Sequence, residues 1–154
     1  MASLIDCVFQ NNLEGLKAGL TQGSDPNQVD SDGRTPLIQA AIDNRLELAK
    51  LLLEAGANVN AQDRLGNSAL HFAAQEYHCE MARLLLDSGA SVDVQDKHGN
   101  TSLWRAVFNS RGRGDVISIL LKVGANKSHR NKTGKTPLEL AKTIANYNII
   151  QFID

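Results

Sequence analysis

Residues 65–74 read LGNSALHFAA, and the same pattern stands three more times in the chain: DGRTPLIQAA from Asp32, HGNTSLWRAV from His98 and TGKTPLELAK from Thr133. The glycines that anchor it, Gly33, Gly66, Gly99 and Gly134, are spaced 33, 33 and 35 residues apart. A second landmark keeps the same period: LAKLLLEAGANVNAQD from Leu48, MARLLLDSGASVDVQD from Met81 and VISILLKVGANKSHRN from Val116. Two independent landmarks on one period define an internal repeat, and a repeat of this length is the mark of a stacked array.

The letters of one unit have physical causes. Thr35 is placed to cap a helix, and Pro36 follows at the first helical position, where its missing N–H costs nothing. Leu37, Ala40 and Ala41 give a small-residue face that lets neighbouring helices approach closely. Leu48, Ala49, Leu51 and Leu52 put apolar positions at helical spacing on a second helix. Gly56, Gly89 and Gly124 end the second helices, where a left-handed conformation is needed. The ANVNAQD that follows Gly56 is an extended arm into the next unit. One unit cannot bury its face alone, so stability must come from stacking, with capped ends.

At these residues the chain resembles the ankyrin repeat family, whose unit is a β-turn plus two antiparallel helices with a T-P-L-H-x-A signature. The resemblance implies an all-α repeat solenoid, an ankyrin stack of helix-turn-helix units joined by β-hairpin-like loops. It divides the single domain into an N-terminal capping unit at 1–30, full repeats at 31–63, 64–96 and 97–131, and a C-terminal cap at 132–154. In that cap, TIANYNIIQFID lacks an exit glycine and is expected to close the stack with Ile149, Ile150, Phe152 and Ile153. Departures are modest: only Thr35-Pro36-Leu37 and Thr136-Pro137-Leu138 keep the triplet, and only His71 keeps the histidine, whose expected role is a structural hydrogen bond.

The third unit breaks the rhythm. Gly66 to Gly89 spans 23 residues but Gly99 to Gly124 spans 25, so two extra residues lie between its helices, in NSRGRGD (Asn109–Asp115). Asp115 falls where Glu47 and Glu80 fall, as an acid at a helix start. The adhesion-like tripeptide Arg113-Gly114-Asp115 is therefore read as coincidence, and the insertion as a loop that could serve as a contact element through Arg111 and Arg113.

Composition sets further bounds. The net charge of −1 hides an uneven distribution: residues 1–96 carry −8 and residues 97–154 carry +7. The opening MASLIDCVFQ has no basic region followed by a long apolar run, and no segment is apolar enough to span a membrane, so a cytoplasmic protein is expected. Cys7 and Cys79 read as buried, reduced thiols. His71, His78, His98 and His129 form no zinc-type spacing, and no nucleophile, base or phosphate loop stands out. The expectation is a chain with no cofactor, no metal and no catalytic role.

The resemblance places a binding surface on the concave face, made of hairpin tips and the exposed side of each first helix. Carried over by position, it comprises Arg34 and Ile42; Arg64, Leu65 and Glu76; Lys97, His98, Trp104 and Phe108; and Arg130, Lys132 and Lys135. Neighbours such as Asn67 and Gln75 are expected to be exposed there too. Trp104 takes the histidine position of its unit and Phe108 follows one turn later, making an aromatic step ringed by Lys97, Arg105, Arg130, Lys132 and Lys135. The expected function is docking of a macromolecular partner, a protein with an acidic patch, with inhibition of a toxin or enzyme as one form. A scaffold or regulatory adaptor is the alternative. Nucleic acid is disfavoured by a net charge near zero, although the basic C-terminal half keeps it open. A monomer is expected rather than a homo-oligomer.

Overall fold

A computed structural model describes residues 2–144 and 148–154. Ala145, Asn146 and Tyr147 of the closing segment lie outside the described residues. The chain forms five successive helix pairs: α1 (Leu4–Phe9) with α2 (Leu13–Thr21), α3 (Pro36–Ile42) with α4 (Leu46–Glu54), α5 (Ala69–Gln75) with α6 (Cys79–Asp87), α7 (Ser102–Phe108) with α8 (Asp115–Lys122), and α9 (Pro137–Thr143) with α10 (Ile150–Ile153). No strand is present among the described residues; one isolated bridge joins Gln62 to Ser68.

Each first helix starts as its sequence dictates. The Thr35, Thr101 and Thr136 hydroxyls accept from the N–H three residues on, and Pro36 and Pro137 occupy the first helical turn. The first helices pack side by side (α1 on α3, α3 on α5, α5 on α7, α7 on α9), and the second helices form a row behind them. Ala40, Ala41, Ala73, Ala74 and Ala106 are fully buried along this seam, which is why small residues recur there. Leu48, Leu52, Met81, Leu85, Ile117 and Leu120 fill the layer between the rows. Ile149 and Ile153 are buried at the C-terminal end; Ile150 and Phe152 are half-buried.

The hairpins between units are held by one device repeated four times. The Oδ1 of Asp30 accepts from the N–H groups of Asp32 and Arg34 at 2.8 and 2.9 Å. Asp63 does the same for Leu65 and Asn67, Asp96 for His98 and Asn100, and Asn131 for Thr133 and Lys135. Each loop is thereby folded on its own side chain. Successive tips are then joined by backbone bonds: Arg64 N–H to Asp32 O, Lys97 N–H to Leu65 O, and Lys132 N–H to His98 O, all 2.9 Å. On the opposite edge Asn27, Asn60 and Asp93 accept from the N–H of Asn58, Ser91 and Asn126 in the following unit.

The tip glycines are fixed by this geometry. Gly66 has φ +79°, and a Cβ there would lie 3.0 Å from Asp96 Cα and from Lys97 N; Gly134 has φ +77° but faces open space. Gly134→Ala should therefore cost only the left-handed backbone penalty, about 1 kcal/mol. Gly66→Ala should cost at least about 1 kcal/mol more, because backbone must move. Urea denaturation of the two variants checks the difference; equal losses would mean that the tips do not press on one another.

Candidate functional site: the hairpin tips and the α7 surface

The face expected to bind is assembled from the tips and the first helices. Arg64, Leu65, Glu76, Lys97, His98, Lys132 and Lys135 are exposed. Arg34 is half-buried, with its guanidinium 3.9 Å from Asp32. Ile42 differs from expectation: as the last residue of α3 it turns back onto the core and is half-buried. Arg130 is exposed, but its guanidinium is held by Glu139 at 3.0 Å and by the Gly134 carbonyl at 2.6 Å. Asn67, expected to be exposed, is buried, where it accepts from Arg105 and donates to Asp63.

Arg105 departs furthest from its expected role in the basic rim. Its guanidinium bonds Asp96 at 2.6 Å, Asn67 at 2.7 Å and Gln75 at 2.6 Å, tying α7 to the hairpin before it and to α5. The Asp96 carboxylate is fully buried, so this pair is a structural pin. Burial alone pushes the Asp96 carboxyl up, but hydrogen bonds from Arg105 and from the N–H groups of Asn100 and His98 outweigh it and hold the group below its ordinary value.

His71 plays the structural part expected of it. Its Nδ1 faces the Ser68 N–H and hydroxyl at 3.1 and 2.9 Å, and its Nε2 faces the Asn100 carbonyl at 2.9 Å. Burial lowers its pKa, so the ring is neutral, accepting at Nδ1 and donating at Nε2. In the next unit Trp104 takes that place and cannot repeat the bond. Its indole Nε1 is buried without a partner. The ring instead stacks on Phe108, with centroids 5.2 Å apart and planes 12° from parallel. Trp104 is half-buried while Phe108 is 59% exposed, so the pair presents an aromatic step beside an open cleft of ≈ 250 Å³.

The inserted turn is organised from the preceding unit, which the sequence did not reveal. Tyr77 sends its hydroxyl to the carbonyls of Ala106 (2.6 Å) and Arg113 (3.0 Å), and the Arg113 guanidinium lies 4.0 Å above the Tyr77 ring. Arg113 also donates back to the carbonyls of Ser110 and Asn109. The tripeptide Arg113-Gly114-Asp115 is thus a folded turn running into α8, with Gly114 packed beneath the Phe152 ring. Cys7 is buried but Cys79 only half-buried, and both are free thiols. Among the described residues no group of three or more His, Cys, Asp or Glu is placed to hold a metal, and no helix is long and apolar enough to cross a membrane.

A family model described as ankyrin repeats (three copies) matches residues 4–96 and 43–131. The chain belongs to the ankyrin repeat family, whose members generally mediate protein–protein interaction and are typically non-catalytic binding modules. Among curated proteins, none matches it.

Two pH effects follow from the buried groups. His71 has a depressed pKa in the fold, so below its ordinary value of 6.5 the unfolded chain gains a proton first and stability begins to fall. Asp96, also depressed, adds a second loss as the pH drops through and below its ordinary value of 3.8. Asp96→Asn should keep the hairpin, because Asn131 already does that work in the last tip, yet cost about 2 kcal/mol by leaving Arg105 without its counter-charge. Urea midpoints across pH should show a smaller acid loss in the variant than in the wild type, with the part due to Glu139, whose carboxyl the Thr136 N–H and Arg130 also hold below its ordinary value, unchanged. Tyr77→Phe should cost about 1 kcal/mol and speed amide exchange in the Ser110–Arg113 turn; unchanged exchange would show that the turn holds itself.

Proposed function

We propose that this protein is a non-catalytic docking module that binds one protein partner on the face made by its hairpin tips and first helices. The observation that carries this is the Trp104–Phe108 stack. Phe108 is 59% exposed and stacked on a half-buried tryptophan, and rigid aromatic anchors of this kind are what interfaces favour. On the hairpin tips before α7 and α9, Lys97, Lys132 and Lys135 are exposed and make no ion pair among the described residues. Their charge favours a partner with an acidic patch and would speed encounter. The tips are set by their own side chains, so little ordering cost falls on binding. The protein acts as a monomer in the cytoplasm, and blocking the partner's active surface, as an inhibitor or immunity protein does, is the form we favour over a passive scaffold.

Capture from a native extract, run with and without nuclease, tests the reading, with wild type beside a Phe108→Ala/Lys132→Glu/Lys135→Glu variant of matched helicity and melting temperature. The expected result is one protein captured stoichiometrically by wild type and lost by the variant. Loss of that partner's activity on addition of wild type identifies inhibition. Equal capture by the variant removes this face from consideration, and capture that vanishes with nuclease identifies a nucleic-acid partner instead.

A further inference from the structure

The cleft beside the aromatic step does not end there. Gln75 and Asn109 wall it on one side and also wall a second open cleft of ≈ 250 Å³, which is bounded by Arg111, Arg113 and Glu76. The two clefts adjoin at the C-terminal end of α7, with Gln75 and Asn109 between them. One arm is aromatic, the other basic, and the inserted turn supplies the basic arm.

The charges in the second arm are unequally committed. Glu76 receives the Gln75 amide at 3.0 Å, and Arg113 is folded over Tyr77 with two of its donors on backbone carbonyls. Arg111 is exposed and makes no ion pair among the described residues; its φ of +49° matches those of Asn11, Asn44 and Tyr77 in the corresponding turns, so the repeat sets its backbone. The turn that holds it there is fixed from below by Tyr77. An arginine presented in this way, one wall away from an exposed aromatic, matches a carboxylate that adjoins an apolar side chain.

Building on the docking function above, we propose that these two adjoining clefts receive an extended acidic peptide segment of the partner. An apolar or aromatic side chain lies against Trp104 and Phe108, and a neighbouring Asp or Glu reaches Arg111 and the free edge of Arg113. The two-residue insertion is then a specificity element, because only the third unit carries both arms.

Fluorescence anisotropy with short labelled peptides tests this, each carrying one Phe and a Glu pair separated by a varied number of serines, beside twins with Gln for Glu. At least one acidic peptide should bind the full chain about tenfold more tightly than its twin, roughly the worth of one desolvated ion pair. Arg111→Gly, which suits the positive φ and so protects the fold, should weaken that peptide by about tenfold, and Arg111→Lys should restore most of the loss. Phe108→Ala should weaken it as well, whereas Lys50→Glu, on α4, should leave it nearly unchanged. No preference for acidic peptides, or full binding by Arg111→Gly, overturns the proposal. Loss in Phe108→Ala with none in Arg111→Gly would sink this inference and leave the docking reading standing. Indifference to both variants, together with unchanged partner capture, would sink the two together.

Discussion

Everything in this molecule hangs from a side-chain acceptor at the base of each hairpin. Asp30, Asp63, Asp96 and Asn131 each collect two backbone N–H groups from their own loop. A short loop with a left-handed glycine at its tip has few other ways to satisfy those donors, and an unsatisfied one would cost more than the loop could recover. Once each loop is set, its tip meets the next at a fixed height, and the first helices are delivered side by side at the distance their alanines allow. The stack's spacing, the depth of its face and the placement of every surface lysine on that face follow from this single local requirement.

Against that regular background the third unit stands apart. Where its neighbour uses His71 as a strut to the following hairpin, it carries Trp104, whose indole N–H goes unpaired and whose ring turns toward Phe108. The unit has given up a hydrogen bond that stiffens the array and gained a large apolar surface at its edge. The same unit carries the longer turn and, in Arg105, a pin to the hairpin before it and to α5.

The architecture was legible because its causes recur. The tip glycines and the leucines Leu37, Leu70, Leu103 and Leu138 recur at intervals of 33, 33 and 35 residues, and the structure places them in the tips and first helices that the repeat implies. The Asn27–Asn60–Asp93 seam could have been found by the same signal, since these residues also stand 33 apart. What could not be read were interactions that occur once. Nothing in the sequence links Tyr77 to carbonyls at Ala106 and Arg113, or Arg105 to Asn67, because such contacts depend on the rotation between neighbouring units. For that reason Arg105 looked like a free surface charge and Asn67 like an exposed tip residue, when each is the other's partner. Ile42 and Arg130 misled more mildly: position gave their face but not the neighbour that half-buries the one and neutralises the other.

Gly114 lies under the ring of Phe152, so the enlarged turn of the third unit and the short last helix have been fitted to one another across 38 residues of chain. Lys127 reinforces that fit by donating to the carbonyls of Ile153 and Asp154. Arrays of this kind are usually thought of as strings of interchangeable parts. Here the third part and the last, which stacks directly on it, are a matched pair. Shuffling the third unit into another array, or extending this one by inserting a copy after it, would separate a glycine from the ring that needs its absence of a side chain.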